Sequence, residues 1–290
     1  MIDNQTQLLG LIGHPIIQSK STIMHNKALD DLCLNYRYFA FDVDSSNLEK
    51  AIAGIRALNF KGANITIPHK TNVMRYLDEI SDEALAIGAV NTIINQNGRL
   101  IGYNTDGVGY LRSLLEETGV AFVDKRVLIL GTGGAARAIS YTIAANEVEE
   151  VIIAGRTIQK SSELIDSLAI KQVAKAIAYD QLEDYLKDVD IIINTTSVGM
   201  YPNDNQSLIN PEWIESKHLV SDIIYNPLET KLLKDARAKG AKIHSGLGMF
   251  IYQGAIAFEK WTESLPDIEV MRKTVIEALN DKERKEENKC

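Results

Sequence analysis

At 290 residues, with 45% hydrophobic and 24% charged positions, the chain is long enough for two domains of ordinary size and has the composition of a soluble globular protein. Its net charge of −8 argues against nonspecific nucleic-acid binding. No apolar run approaches the roughly 20 residues of a membrane span, and the N-terminus lacks the basic-then-apolar layout of an export signal, so a cytoplasmic protein is expected.

Residues 8–12 are apolar and read as a buried strand that stops at Gly13-His14-Pro15. A polar loop, Gln18-Ser19-Lys20-Ser21, leads to Ile23, Met24, Ala28, Leu29 and Leu32 at helical spacing, with Ser21 or Thr22 available as N-cap. Residues 36–43 alternate and are rich in aromatics, a strand pattern. Ser46-Asn47-Leu48-Glu49 has the spacing of a capping box and predicts a helix to about residue 58; residues 62–67 form a third strand, stopped by Pro68. These elements make a βαβαβ unit. Residues 71–87 look helical with a break near Ser81, and Asn97-Gly98 between two apolar runs signals a hairpin. A helix over 108–117 carries the chain out of this unit.

From Arg126 onward, nearly all-apolar strands (127–130, 150–154, 174–178, 190–194, 219–224, 241–244) alternate with helices (135–145, 159–168, 180–186, 230–238). That rhythm predicts a parallel sheet covered on both faces. Two further helices, 249–264 and 268–279, are followed by no strand and are expected to return to the first unit; the charged tail 281–290 is expected to fray. The expected domains are therefore 1–107 completed by 247–290, and 108–246.

Gly131-Thr132-Gly133-Gly134-Ala135 follows the first strand of the second domain and opens a helix. Glycines there allow a tight turn and close backbone approach to a pyrophosphate, which the helix N-terminus attracts. The same turn can also serve close packing alone. A preference for NAD would place Asp or Glu about twenty residues on, at the end of the next strand. The sequence instead has Gly155-Arg156-Thr157, and a guanidinium beside a hydroxyl suits a 2′-phosphate, favouring NADP with NAD as the alternative. Arg156 could equally be a solvated residue at a helix start.

Polar residues also collect at strand ends of the first unit: Ser19 and Ser21, Asn64, Thr66 and Lys70, Asn91, and Asn104-Thr105-Asp106. Ligands of open α/β sheets bind beyond the carboxyl ends of strands, although caps and turns explain any one of these residues singly. Hydride transfer to a ketone leaves an alkoxide that needs a proton. Lys70 with Asp106 is the pair chosen for that transfer, His69 ranks second, and His14, His25 and His244 compete more weakly. Cys33 and Cys290 give no disulfide framework, and the five histidines have no ligand spacing, so no structural metal is expected.

Six ordered motifs, spread nearly end to end, resemble the shikimate dehydrogenase family, which includes quinate/shikimate dehydrogenases. They are Gly62-Ala63-Asn64-Ile65-Thr66-Ile67-Pro68-His69-Lys70, Gly88-Ala89-Val90-Asn91-Thr92, Gly102-Tyr103-Asn104-Thr105-Asp106-Gly107, the Gly131 loop, Asn194-Thr195-Thr196-Ser197-Val198-Gly199-Met200 and Gly248-Met249-Phe250-Ile251-Tyr252-Gln253. The resemblance implies a two-domain α/β fold, an N-terminal α/β substrate domain beside a Rossmann-type doubly wound dinucleotide domain. It implies reversible reduction of 3-dehydroshikimate to shikimate with NADP(H) in aromatic amino-acid biosynthesis; the alternatives are a quinate/shikimate enzyme using NAD(H), or a module that senses NAD(P) or a metabolite without turnover.

By motif position the resemblance makes Lys70 and Asp106 catalytic and adds Ser19, Ser21, Asn64, Thr66, Asn91, Tyr225 and Gln253 as substrate contacts. It places the cofactor on Gly131, Thr132, Gly133, Gly134, Ala135, Gly155, Arg156, Thr157, Thr195, Met200, Gly246 and Met249. Its other implications are a small-molecule substrate, no nucleic-acid or membrane partner, and a monomer or homodimer. Three positions depart from the family pattern: Gln18 where His is frequent, Thr22 where Pro is usual, and Gly155 in place of Asn.

Overall fold

The computed structural model describes residues 2–287, so Cys290 and the end of the charged tail lie outside the described residues. The chain divides into two compact units, Met1–Thr105 with Ile251–Cys290, and Asp106–Phe250. The second division falls at 250/251 inside the helix Gly246–Thr262, later than the expected 246/247, and the first falls at 105/106, where a helix opens at Asp106, rather than at 107/108.

Unit 1 contains β1 (Gln7–Gly13), α1 (Ser21–Asp31), β2 (Tyr36–Asp42), α2 (Leu48–Ala57), β3 (Gly62–Ile65), a 3-10 turn (Asn72–Tyr76), β4 (Glu79–Ile80), α3 (Asp82–Ile87), β5 (Thr92–Gln96) and β6 (Arg99–Tyr103). Its sheet runs β2-β1-β3-β5-β6-β4. The βαβαβ part is parallel, and β5 then enters antiparallel to β3. Asn97 and Gly98 both have positive φ, 54° and 90°, the two left-handed positions of a tight hairpin turn. The expected helix over 71–87 is instead a 3-10 turn, the short strand β4 and α3. Ser81 marks the break because its side chain caps α3, accepting from the Ala84 N–H, and Gly88 in the left-handed region closes it.

Two other caps differ from expectation. The Asp44 carboxylate takes the Ser46 hydroxyl (2.6 Å) and the Ser46 and Asn47 N–H groups, so no capping box forms and α2 starts with Asn47 as an N-cap whose side chain makes no cap bond. α1 likewise starts after Lys20, with Ser21 already inside the helix.

Unit 2 contains α4 (Asp106–Thr118), β7 (Arg126–Leu130), α5 (Gly134–Ala144), β8 (Glu150–Gly155), α6 (Ile158–Leu168), β9 (Ala174–Ala178), α7 (Leu182–Leu186), β10 (Ile191–Asn194), β11 (Leu219–Asp222), α8 (Lys231–Ala238) and β12 (Lys242–His244). Its sheet is wholly parallel, in the order β12-β11-β10-β7-β8-β9. Alternate strand residues feed two cores: Val127, Ile129, Val151 and Ile153 on one face, Leu128, Leu130, Ile152 and Ala154 on the other. The order reverses between β7 and β10, the switch point at which doubly wound sheets bind ligands.

α9 (Gly246–Thr262) and α10 (Ile268–Glu287) end the described chain. α10 lies against α1 and buries Met271, Val275 and Leu279 at helical spacing. It runs to Glu287, past the point where fraying was expected to begin.

Candidate functional site

The polar residues of unit 1 form a Ser19–Ser21 pair and a hydrogen-bond chain that runs from Tyr38 to Gln253. The Ser19 hydroxyl donates to Ser21 Oγ (3.2 Å) and accepts from the Ser21 N–H. The Tyr38 hydroxyl donates to Asn64 Oδ1 (2.8 Å), and Asn64 Nδ2 donates to the Asn91 carbonyl and to Thr92 Oγ1. Thr92 donates to Asn91 Oδ1 (3.0 Å), which also accepts the Thr105 N–H (2.9 Å). Asn91 Nδ2 reaches Thr105 Oγ1 (2.9 Å) and Gln253 Oε1 (3.4 Å). The chain is buried from Tyr38 to Thr105, while Ser19 and Gln253 are half-buried. Neutral amides and hydroxyls held in this way can meet a polyhydroxylated ligand without excess charge.

Thr66 and Lys70 follow β3 in the same unit and are half-buried; the Lys70 carbonyl accepts from the Val90 N–H. Asp106 belongs to unit 2, where it is buried as the first residue of α4. The histidines are all committed elsewhere. His69, the second-ranked acid–base candidate, is fully buried with Nε2 2.6 Å from the Val43 carbonyl, so it cannot meet a substrate. His14 pairs with Asp42, His25 lies in an aromatic stack, and His244 sits between Ser113 and Ser221.

In unit 2 the glycine turn lies at the switch point. Gly131 has φ +113°, and a Cβ there would lie 2.7 Å from Thr195 Oγ1, so only glycine fits. At Gly133, the N-cap of α5, a Cβ would have nothing within 4 Å of it, which leaves the backbone N–H groups there open to a ligand. This cradle fits a dinucleotide pyrophosphate. Gly155 ends β8 where a Cβ would lie 2.7 Å from Ser161 Oγ and 3.1 Å from Thr132 Cγ2, so close helix packing accounts for its departure from Asn. Arg156 is exposed and acts on Tyr179, whose phenol is raised by burial while the Arg156 charge works the other way. Thr157 caps α6, accepting from the Lys160 N–H.

The remaining nucleotide candidates divide. Met200 is exposed, and half-buried Tyr225 stacks on Phe250 with centroids 4.2 Å apart. Thr195 is buried, its hydroxyl donating to the Leu130 carbonyl at 2.6 Å. Gly246 packs so closely on Ile223 that a Cβ would lie 2.0 Å from its carbonyl oxygen. Met249 is buried in the unit 2 core beside Tyr110 and Leu114.

Two groups escaped the reading of the sequence. Buried Asp222, at the end of β11, accepts from Asn194 Nδ2 (3.1 Å), the Thr230 hydroxyl (2.8 Å) and the Ile224 N–H (3.0 Å). Asn194 Oδ1 in turn holds Thr196. Tyr38 was legible only as one aromatic in an alternating strand; its position opposite Asn64 comes from the sheet. Among the described residues no cluster of His, Cys, Asp or Glu could hold a metal, and no helix is long and apolar enough to cross a membrane.

A doubly wound sheet with an open glycine turn at its switch point, joined in one chain to an α/β unit lined with neutral polar groups, defines a nicotinamide-dependent oxidoreductase. Three family profiles match: the shikimate dehydrogenase substrate binding domain over residues 11–93, shikimate/quinate 5-dehydrogenase over 113–223 and the shikimate 5′-dehydrogenase C-terminal domain over 246–276. The chain is 49% identical to a shikimate dehydrogenase (NADP(+)) of Methanococcus maripaludis over 281 residues, covering 96% of this chain and 100% of that one. It is 50% identical to a shikimate dehydrogenase (NADP(+)) of Geobacillus sp. over 273 residues, covering 94% and 99%. A crystal structure of shikimate dehydrogenase in complex with NADP+ superposes with a TM-score of 0.90 at 47% identity, covering 96% of this chain and 98% of that one. The chain belongs to the shikimate dehydrogenase family.

Proposed function

We propose that this chain catalyses reversible hydride transfer between NADP(H) and the 3-dehydroshikimate/shikimate pair in aromatic amino-acid biosynthesis, as a cytoplasmic monomer or homodimer. The carrying observation is the Ser19–Ser21 pair together with the hydrogen-bond chain from Tyr38 to Gln253, because a polyhydroxylated carboxylate needs many neutral donors and acceptors. Unit 1 is the substrate domain in this reading and unit 2 the nucleotide domain.

Ser19 and Ser21 take the carboxylate through their hydroxyls, and Asn64, Thr66, Asn91 and Gln253 orient the ring hydroxyls. Lys70 gives the proton to the oxygen that receives negative charge on reduction, and takes it back in the oxidative direction. Asp106 accepts a hydrogen bond from the reacting hydroxyl and keeps it oriented toward that proton transfer. Tyr225 presents its ring to the substrate. The open N-terminus of α5 holds the pyrophosphate, with Gly131, Thr132, Gly133, Gly134 and Ala135 giving backbone access, and Arg156 with Thr157 meets the 2′-phosphate. Thr195, Met200, Gly246 and Met249 shape the nicotinamide end, directly or by fixing the backbone there. When bound, the reduced nicotinamide supplies the hydride.

The test is absorbance at the nicotinamide band with purified protein, pairing shikimate or quinate with NADP+ or NAD+. Shikimate with NADP+ should give the highest kcat/KM. Binding without turnover in every pairing would leave a sensor in place of an enzyme.

A further inference from the structure

We propose that Tyr38 is a positioning residue for substrate, fixing Asn64 in the orientation that binds it without touching it. This inference rests on the functional reading above. Tyr38 lies on β2 at the edge of the sheet, and β1 separates that strand from β3, which carries Asn64. Its side chain therefore bridges elements that do not pair.

The ring is fully buried and held from two directions. It stacks on the imidazole of His25 from α1, with centroids 4.4 Å apart at 17°, and meets Trp261 from α9 at 6.0 Å. Gly62, in register with Leu9, which itself pairs with Tyr38, makes room for this arrangement: a Cβ there would lie 2.3 Å from Trp261 Nε1. His25 has no hydrogen-bond partner on either ring nitrogen, and burial pushes it down to about 3, so it contributes a neutral stacking surface. Such packing leaves the Tyr38 hydroxyl little freedom to move.

The hydroxyl has one proton to give. Burial holds the phenol well above its ordinary value, with the Ser21 side chain working the other way, so it stays protonated. Its proton goes to Asn64 Oδ1 at 2.8 Å. That donation, together with the Asn91 carbonyl, which can only accept, holds the Asn64 amide: Oδ1 turns toward Tyr38, and Nδ2 toward the Asn91 carbonyl and Thr92 Oγ1. Without the phenol, Asn64 Oδ1 loses its donor, and this substrate-facing amide gains alternative orientations. A ring without the hydroxyl preserves the stack and removes only this control.

Tyr38→Phe tests the assignment. The KM for shikimate should rise about tenfold, while the KM for NADP+ stays within twofold, kcat at saturating shikimate stays within about threefold, and the melting temperature confirms a folded protein. Phe258→Leu disturbs the same His25 stack, whose rings are 6.2 Å apart, but leaves the hydroxyl, and should keep the KM for shikimate within twofold. In a double-mutant cycle, Tyr38→Phe should cost less on an Asn64→Ala background than on wild type. A KM for shikimate within twofold of wild type in Tyr38→Phe, an equal rise with Phe258→Leu, or full multiplicativity with Asn64→Ala would overturn the positioning role. Wild type inactive on shikimate would instead remove the functional reading itself.

Discussion

Lys70 and His69 are neighbours in sequence and opposites in environment. Both have side chains suited to proton transfer, and nothing in Pro68-His69-Lys70 separates them. The sheet does so by turning the imidazole inward onto the Val43 carbonyl and leaving the lysine half-buried. Lys70→Ala should therefore lower kcat about 10²-fold or more, with the Kd for NADP+ by isothermal titration unchanged; an unchanged kcat would take the proton-transfer role from Lys70. Arg156 is exposed, which leaves its guanidinium accessible to a phosphate dianion. Arg156→Ala should weaken NADP+ binding about tenfold or more and change NAD+ binding less than about twofold, and an equal loss for both would show that it does not meet the 2′-phosphate. At this scale the sequence marks Ser19, Ser21, Asn64 and Asn91 because polar residues recur at strand ends, and Gln253 only through the family resemblance. Tyr38 was not, since periodicity gives the face of a strand but not the partner that a long side chain reaches across its neighbour.

Elements were legible where one local signal had no competitor. Asn97-Gly98 made its hairpin, and the apolar strands of unit 2 fell into their two cores. The capping box at Ser46 failed because the nearer Asp44 carboxylate takes the Ser46 N–H that Glu49 would need, and draws the Ser46 hydroxyl to itself as a donor. β4 was missed because two residues, Glu79 and Ile80, carry no periodicity. Asp222 shows an interaction between elements that no local pattern encodes. It joins the end of β11 to the Asn194 turn and to the cap of α8, where Thr230 also accepts from the Leu233 N–H. Burial is the main influence on its carboxyl, which is pushed up to about 6 despite the donors of Ile224, Thr230 and Asn194; burial likewise raises Tyr110 on α4, with the Asp222 charge adding a smaller push in the same direction.

The folded protein thus holds the Asp222 proton more tightly than the unfolded chain does. The resulting stabilisation is fully present below about pH 4 and is lost as pH rises through about 6, a change of about 3 kcal/mol. Urea denaturation of wild type and Asp222→Asn should show it: the stability of wild type relative to the variant should fall between pH 4 and 6 and level off above. A difference independent of pH would mean that Asp222 does not titrate in this range. Above pH 6 the ionised carboxylate costs stability, and in return three donors from different segments are fixed around one acceptor.

For the whole molecule, the order of the chain matters more than any single element. It leaves unit 1 after Thr105, completes unit 2, and comes back at Ile251 to finish the first unit. The sequence signalled this return through two apolar-striped helices with no strand to follow. The apolar face of α10 buries Met271, Val275 and Leu279, each contributing about 1.5–3 kcal/mol. Their sum is comparable with the roughly 5–15 kcal/mol that stabilises an entire domain. None of the three belongs to either core of unit 2. Deleting residues 268–290 should therefore unfold unit 1 and abolish shikimate oxidation, while NADP+ still binds and still raises the melting temperature of the remaining folded part. Loss of NADP+ binding together with activity would instead show that the two units fold as one cooperative body, despite their separate cores.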